Sequence, residues 1–221
     1  MIKIQRRIYI ILISENFDEE NFKFLIRFVS QQKGRQIEEL NNCIDKKVSL
    51  YAQIAVKLII QNEFNIPLEN LSIGVNDFGK PYLVEYPDIF FNISHSNNAI
   101  VIGFSENPVG IDIEFESDKN FIIAKRFFTK KECEYIQNNS QNHLEAFYEI
   151  WTKKEAYIKC LGLGLRMPLK HFCVMSEKLT NLFITIKKWN YIISFYDSTC
   201  NDYIDLKELS EKEIEQMKLS N

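Results

Sequence analysis

Two acidic side chains stand two residues apart in the segment Gly110-Ile111-Asp112-Ile113-Glu114, whose β-branched residues predict a strand. Because side chains alternate between the two faces of a strand, Asp112 and Glu114 are expected to share one face, opposite the isoleucines. Two carboxylates placed in this way could bind a hard divalent cation. The pattern also fits an ordinary half-exposed strand with solvated acids, and the segment alone does not choose between the two interpretations.

A second group of chemically capable residues lies on a predicted helix over residues 144–161. Trp151, Glu155 and Lys159 are spaced four residues apart and therefore share one helix face. Phe147 continues this stripe one turn earlier, and a simply solvated face would not carry two large aromatic side chains. An acid and a lysine beyond a tryptophan could act in catalysis, although an ordinary helical ion pair is the alternative.

Two further segments could contact an anion. Ser94 and His95 stand at the end of a predicted strand, in a turn rich in hydrogen-bond donors. Lys80 and Pro81 follow a glycine in a rigid turn. The histidine is also compatible with a purely structural role, and the second segment alone indicates no more than a turn.

The elements that must carry these residues alternate between strands and helices in both halves of the chain, which predicts an α+β fold. Strands are expected at residues 8–14, 89–94, 100–104, 109–115, 172–174, 182–186 and 191–195. Helices are expected at residues 18–28, 121–138 and 144–161, over 49–60, and as a polar terminal helix or tail over 208–219.

Composition excludes several classes of protein. The chain has 221 residues, of which 46% are hydrophobic and 13% aromatic, so it is not a disordered chain. Its formal net charge of −3 lacks the basic character of a nucleic-acid-binding protein. The five cysteines have no metal-binding or redox spacing, which favours reduced thiols in a cytoplasmic protein. The apolar run over residues 8–13 is too short for a membrane span and predicts a first strand.

Four segments follow one another along the chain: F-N-I-S-H-S, G-I-D-I-E, F-F-T-K-K-E and W-T-K-K-E-A-Y-I-K-C-L-G-L-G-L. In this order they resemble the 4′-phosphopantetheinyl transferase family, and more narrowly its surfactin-synthetase-activating (Sfp-type) branch. Together with the earlier Gly79-Lys80-Pro81 element, the matching motifs extend from Gly79 to Leu165. The resemblance implies a monomeric α+β pseudo-dimer of two similar halves, each with a small antiparallel sheet and packed helices. The N-terminal half would span residues 1–105, and residues 106–221 would carry the metal site.

Members of this family move phosphopantetheine from coenzyme A to a serine of an acyl or peptidyl carrier protein, and they release adenosine 3′,5′-bisphosphate. The resemblance implies that Asp112, Glu114 and Glu155 hold Mg²⁺, with Mn²⁺ as an alternative ion, against the pyrophosphate of coenzyme A. Glu155 would also be the general base, directly or through a metal-bound water. Lys159 would offset charge on the pyrophosphate, and Glu132 would support the site or serve as an alternative base.

The resemblance further implies a coenzyme A site in the cleft between the halves. His95, with Ser94 beside it, would contact the 3′-phosphate of coenzyme A. Lys80 and Pro81 would lie near the nucleotide, and Lys33 is a candidate for another basic contact to the same phosphate.

Other positions match the family motifs less directly or depart from them. Trp151 is assigned to packing, and Lys154 to the electrostatics of the coenzyme A site. Val48 stands where the family commonly has an arginine. Either Lys46 or Lys47 substitutes for that arginine, or one phosphate contact is missing.

The expected partners are coenzyme A and an acidic carrier protein, with no nucleic acid and no membrane. Pairs of basic residues at positions 33/35, 46/47, 130/131 and 153/154 are candidates for a local docking patch. Two alternatives are a hydrolase of the pyrophosphate bond in coenzyme A or a nucleotide, and a non-catalytic module that binds a carrier protein or nucleotide. The presence of the acidic residues Asp112, Glu114 and Glu155, and of Lys159, argues against the non-catalytic module.

Overall fold

The computed structural model describes residues 5–117, 124–199 and 203–217. Its strands are β1 (Arg7–Leu12), β2 (Ile73–Val75), β3 (Pro81–Leu83), β4 (Phe90–Ser96), β5 (Ala99–Ser105), β6 (Val109–Phe115), β7 (Phe183–Lys188), β8 (Tyr191–Asp197) and β9 (Asp205–Ser210). Its α-helices are α1 (Glu19–Leu25), α2 (Gln31–Glu38), α3 (Cys43–Phe64), α4 (Ala124–Phe127), α5 (Lys130–Asn138), α6 (His143–Leu161) and α7 (Glu211–Gln216). Within these described ranges, no helix combines the length and the apolar character needed to cross a membrane.

The two halves of the chain repeat one order of elements: a first strand, a long helix and a two-stranded hairpin. These are β1, α3, β4 and β5 in the first half, and β6, α6, β7 and β8 in the second. In each half the second hairpin strand pairs antiparallel with the first strand, so the sheets run in the orders β4-β5-β1 and β7-β8-β6. This repetition confirms the predicted α+β fold of two similar halves. The first sheet is extended by β9 and is therefore mixed.

The long helix α3 forms the centre of the first half. It begins after Asn42, whose side chain accepts a hydrogen bond from the Ile44 N–H, and it ends at Asn65 in the left-handed conformation. Its middle is buried on nearly every side, which explains why it shows little amphipathic pattern. The buried side chains of this stretch include Leu50, Ile54, Ala55, Leu58 and Ile59.

The first sheet is buried on both faces, because α3 covers one face and the second sheet covers the other. The side chains that join the two sheets include Ile8, Ile10, Ile111 and Ile113. This arrangement fixes the isoleucines of β6 in the core. Since side chains alternate along a strand, Asp112 must lie on the opposite face of β6.

The C-terminal segment differs from the predicted helix or tail over residues 208–219. β9 pairs in parallel with β1, from Arg7 beside Asp205 to Leu12 beside Ser210, and only then does α7 begin. Half-buried and exposed residues alternate along β9, as expected for a strand at the edge of a sheet. The polar composition of the segment concealed the strand, because the sheet contact is made through the backbone. Residues 218 and 219 lie outside the described residues.

Two other predicted elements are corrected. The helix predicted over residues 121–138 is interrupted, because Thr129 caps α5 in a reciprocal pair of hydrogen bonds with Glu132. Residues 121–123 of that prediction lie outside the described residues. Residues 172–174 form no strand, and the Val174 N–H donates to the Glu132 carboxylate at 2.9 Å instead of to a neighbouring strand.

The docking of α7 on the first half can be tested at Ile214, which is 1% exposed and belongs to the core around α3. Ile214→Ala should lower the free energy of unfolding by about 2–4 kcal/mol, because it leaves a cavity in a packed core. Urea denaturation followed by circular dichroism measures this change. Leu206→Ala on β9, where the leucine is 37% exposed, is the matched control and should cost less than half as much. Parental stability in Ile214→Ala would contradict the docking.

Candidate active site

Strand β6 and helix α6 touch at Gly110. A Cβ atom at this position would lie 1.8 Å from the carbonyl oxygen of Ala156 and 2.5 Å from the amide nitrogen of Cys160, so only glycine fits. The contact holds the helix directly against the strand. It therefore brings the acidic residues of β6 beside the face of α6 that carries Glu155 and Lys159.

Asp112 lies at the centre of the resulting group, with 4% of its surface exposed. Its Oδ1 atom accepts hydrogen bonds from Lys159 Nζ at 2.6 Å and from Ser94 Oγ at 2.8 Å. Lys159 also donates to the Ser94 hydroxyl at 2.7 Å. The Oδ2 atom of Asp112 is buried and has no hydrogen-bond partner among the described residues. The structure thus brings three of the predicted site residues into one network and leaves one carboxylate oxygen unsatisfied.

Glu114 and Glu155 extend the negative charge around Asp112. Burial, followed by the charge of Asp112, raises the pKa of Glu114 above its usual value. The same two causes raise the pKa of Glu155 to about 7. Burial is the larger cause of both pKa shifts, repulsion between the carboxylates adds to it, and the ammonium group of Lys159 acts in the opposite direction.

The chemistry of these donors fits a hard divalent cation. In the conformation described, no three His, Cys, Asp or Glu side chains of the described residues are arranged to hold a metal ion, and Asp112 is paired with Lys159. The fit comes instead from three mutually repelling carboxylates and the unsatisfied Asp112 Oδ2. Carboxylate oxygens are the ligands that such cations prefer.

The acidic cluster opens into a cavity of about 680 Å³, which we call the large cavity. Its polar lining comes from both halves and includes Ser94, His95, Asp112, Glu114, Glu155 and Lys159. A small cavity of about 290 Å³ shares Glu155 and Lys159 with it and continues to Lys80 and Pro81. Glu155 and Lys159 therefore lie between two cavities and are accessible from both.

The structure gives Lys80 a structural role. Its Nζ atom donates to the carbonyl oxygens of Val109 at 2.8 Å and of Cys160 at 2.9 Å, which ties the turn before β3 to β6 and α6. Burial lowers the pKa of Lys80. The ammonium group is thus bound by backbone, but Lys80 also lines the small cavity, and its expected place near the nucleotide stays a prediction. Pro81 remains in the lining of the small cavity.

Basic side chains lie on the first-half side of the cavities. His95 lines the large cavity, and partial burial, followed by the charges of Lys159 and Lys33, lowers the pKa of His95. Lys33 lines a third cavity of about 650 Å³, which also includes Pro81. The charge of Lys33 thus acts on His95, and the expected contact of both residues with the 3′-phosphate stays a prediction.

Lys57 is a further candidate that sequence reasoning missed. It lines the same third cavity as Lys33, and its Nζ atom donates to the carbonyl oxygen of Phe28 at 3.0 Å. Within residues 50–60 it is the only charged side chain, and Gln53 lies one turn before it. Gln53 and Lys57 could have been noticed in the sequence, because two polar residues one turn apart in an apolar helix mark a face that does not enter the core.

Family models match both halves of the chain. The family model described as 4′-phosphopantetheinyl transferase superfamily matches residues 108–203, and that of the 4′-phosphopantetheinyl transferase N-terminal region matches residues 16–107. The 4′-phosphopantetheinyl transferase gsp of Aneurinibacillus migulanus is 31% identical over 218 residues, or 95% of this chain and 91% of that protein. The chain belongs to the 4′-phosphopantetheinyl transferase family.

Other phosphopantetheinyl transferases are similar over shorter regions. Sfp of Bacillus subtilis (strain 168) is 32% identical over 157 residues, which cover 71% of this chain and 70% of that protein. The L-aminoadipate-semialdehyde dehydrogenase-phosphopantetheinyl transferase of Mus musculus is 32% identical over 160 residues, which cover 66% of this chain and 52% of that protein. These similarities confirm the resemblance to the Sfp-type branch and identify the chain as an enzyme of this class.

One departure from the phosphopantetheinyl transferase pattern has a structural explanation. Val48, at the expected arginine position, is buried in the core. Lys47 does not replace the arginine, because its Nζ atom pairs with Glu211 Oε1 at 2.6 Å, away from the three cavities. Lys57 is the basic residue that α3 contributes to the cavity lined by Lys33.

Glu132 and Lys154 form a buried ion pair, which agrees with the supporting role expected for Glu132 in a phosphopantetheinyl transferase. Both residues are 0% exposed, and Lys154 Nζ lies 2.9 Å from Glu132 Oε2. Lys154 also donates to the carbonyl oxygens of Leu169 and Phe172. In the conformation described, neither charged group lines any of the three cavities, which does not favour Glu132 as the base or Lys154 as a contact to coenzyme A. The pair instead holds the segment that supplies Leu169 to the large cavity.

The contact between β6 and α6 predicts the effect of Gly110→Ala in this phosphopantetheinyl transferase. The added Cβ must push the strand and the helix apart, so the free energy of unfolding should fall by about 2 kcal/mol or more in urea denaturation. Gly34→Ala in α2 is the matched control, because a Cβ there makes contacts of 3.6 Å or longer and alanine favours a helix. The control should be at least as stable as the parent. Equal stability of Gly110→Ala and the parent would contradict the close contact.

The buried ion pair predicts a loss of stability in Lys154→Met. Glu132 would then keep a buried charge without its partner, at a cost of about 3–5 kcal/mol in the free energy of unfolding. The double variant Glu132→Gln, Lys154→Met should recover most of this loss. Lys153→Met is the control, because its partner Glu149 is partly exposed and the change should cost much less. A Lys154→Met variant of parental stability but weakened coenzyme A binding would refute the structural role.

Proposed function

We propose that the protein transfers 4′-phosphopantetheine from coenzyme A to a serine of an apo acyl or peptidyl carrier protein and releases adenosine 3′,5′-bisphosphate. The observation that carries this proposal is the meeting of an acidic cluster and basic groups at one cavity, in a chain similar over its length to phosphopantetheinyl transferases. Phosphoryl transfer depends mainly on positioning and on neutralising charge, and the cavity offers groups for both.

The charges of coenzyme A match the distribution of basic residues. Coenzyme A carries a pyrophosphate and a 3′-phosphate. His95 and Lys33 lie on the first-half side, whereas Lys159 lies beside the carboxylates. We therefore propose that the 3′-phosphate binds near His95 and Lys33, and that the pyrophosphate binds near Lys159. Lys57 and Pro81 line the cavity beside Lys33 and are proposed to contact the nucleotide end.

The proposed metal is Mg²⁺, with Mn²⁺ as an alternative, and Asp112, Glu114 and Glu155 would hold it. Such an ion would supply positive charge against the pyrophosphate. The donor set supports this assignment, because the three carboxylates repel one another and Asp112 Oδ2 is buried with no partner in the part of the chain that the structure describes.

Glu155 is the proposed general base, because it lines the large and the small cavity at the same time. The serine oxygen of the carrier attacks the phosphorus that bears the pantetheine arm, and the bond from this phosphorus to the bridging pyrophosphate oxygen breaks. The serine proton passes to Glu155, directly or through water, and adenosine 3′,5′-bisphosphate leaves with the bridging oxygen. Lys159 offsets the negative charge that develops in this step.

An acidic carrier protein is the proposed protein substrate. Burial of Lys47 and Lys154 disfavours these two candidates for its docking. Arg126 and Lys170 are exposed and line the large cavity, so they are better placed to attract an acidic surface to the reacting groups.

We also propose that the enzyme acts as a monomer with halves at residues 1–105 and 106–221. Ser94 and His95 come from the first half, and the carboxylates and Lys159 come from the second. One chain therefore contains every residue assigned to the site.

A transfer assay separates this function from the two alternatives. Incubation with Mg²⁺, fluorescent coenzyme A and an apo carrier protein should label the serine of the carrier. Cleavage of coenzyme A without labelling would favour a pyrophosphate hydrolase instead. Binding of the carrier or of coenzyme A without turnover would favour a binding module.

Glu155→Gln should lower the transfer rate roughly 10²- to 10⁴-fold, because it removes the proposed base. Urea denaturation should show that the variant keeps the parental fold. Glu149→Gln on the same helix is the matched control, since Glu149 pairs with Lys153 outside both cavities and its loss should leave the rate unchanged. Full activity in Glu155→Gln would rule out the assigned role.

A further inference from the structure

The two halves meet where β4 runs beside β6, and polar side chains of β4 make this contact. The two strands belong to different sheets, so no backbone ladder joins them. Asn92 Oδ1 accepts the Ile111 N–H at 2.9 Å, and Ser94 Oγ donates to Asp112 Oδ1 at 2.8 Å. Alternate positions of β4 thus bond to β6 in order along the strand, and side chains set the register between the halves.

Ser96 makes the last contact of this series. Its Oγ atom donates to Glu114 Oε2 at 3.2 Å and accepts the Phe115 N–H at 3.2 Å. One partner uses the hydroxyl proton and the other uses a lone pair, so the hydroxyl cannot rotate without losing a bond. Ser96 therefore ties the Glu114 side chain to a fixed point of the neighbouring backbone.

Glu114 needs such a restraint. Its side chain is long, and the negative charge of Asp112 repels its carboxylate. Ser96 itself is held firmly, because its strand pairs with β5 in the register that places Ser96 opposite Ala99. The Ser96 hydroxyl thus holds the Glu114 carboxylate of the second half in a fixed position relative to the first sheet.

We propose that Ser96 is a positioning residue that keeps the Glu114 carboxylate within the acidic cluster, so that cation binding by the second half depends on a hydroxyl supplied by the first. The inference rests on the proposed function for the identity of the cation. The hydrogen bonds that carry it belong to this chain's own residues.

The test measures Mn²⁺ binding to the purified protein from the electron paramagnetic resonance signal of the free ion, with and without coenzyme A. Ser96→Ala should raise the dissociation constant roughly 10-fold or more, the size seen when a hydrogen-bond partner of a metal ligand is removed. Ser96→Thr keeps the hydroxyl and should stay close to the parental value. In transfer assays, raising Mg²⁺ should partly restore the rate of Ser96→Ala, which a general folding defect would not allow.

Ser105→Ala is the matched control. Ser105 is buried and its hydroxyl donates to Asp197 at 2.8 Å, a bond of the same kind that lies outside the cavities. This variant should lose stability but keep the parental Mn²⁺ affinity. An unchanged affinity in Ser96→Ala, or an equal loss in Ser105→Ala, overturns the positioning role. Weaker Mn²⁺ binding by Ser96→Ala in a chain that transfers no phosphopantetheine supports that role and overturns the proposed function alone.

Discussion

The contact between β6 and α6 at Gly110 determines where the reactive groups can lie. A side chain at this position would strike the helix backbone, so the absence of one allows the strand and the helix to touch. Asp112 then comes within hydrogen-bond distance of Lys159, and both carboxylates of the strand approach Glu155. The electrostatic repulsion in the cluster is a consequence of this packing. The core isoleucines of β6 maintain it, because the strand cannot turn its acidic face away without exposing them.

Helix α6 carries two lysines with different roles, one structural and one beside the cavities. Lys154 and Lys159 lie five residues apart, which places them on different faces of the helix. Lys154 meets Glu132 and two carbonyl oxygens in the interior, whereas Lys159 meets Asp112 beside the cavities. The interior pair is fully satisfied and fixes a wall of the large cavity. In the cavity pair, by contrast, Asp112 Oδ2 has no hydrogen-bond partner among the described residues.

Local geometry made predictable those pairs of site residues that lie on one strand or one helix. Alternation along a strand placed Asp112 and Glu114 together, and helical spacing placed Glu155 beside Lys159. The burial of Lys154 could not be predicted in this way, because its partner Glu132 comes from another helix. The same holds for Lys80, whose ammonium group is bound by carbonyl oxygens distant in the sequence. Strand β9 was missed because its place in the sheet depends on the free edge of β1, which the local residue pattern does not report.

The pairing of β9 with β1 has a consequence for synthesis of the chain. Among the described strands, β1 is translated first and its parallel neighbour β9 is translated last. Until then one edge of β1 exposes unpaired N–H and C=O groups, which other chains could pair with. Although the first half contains its own long helix and hairpin, its sheet is finished only when the second half has been translated. The first half thus cannot complete its fold during synthesis before β9 has been made.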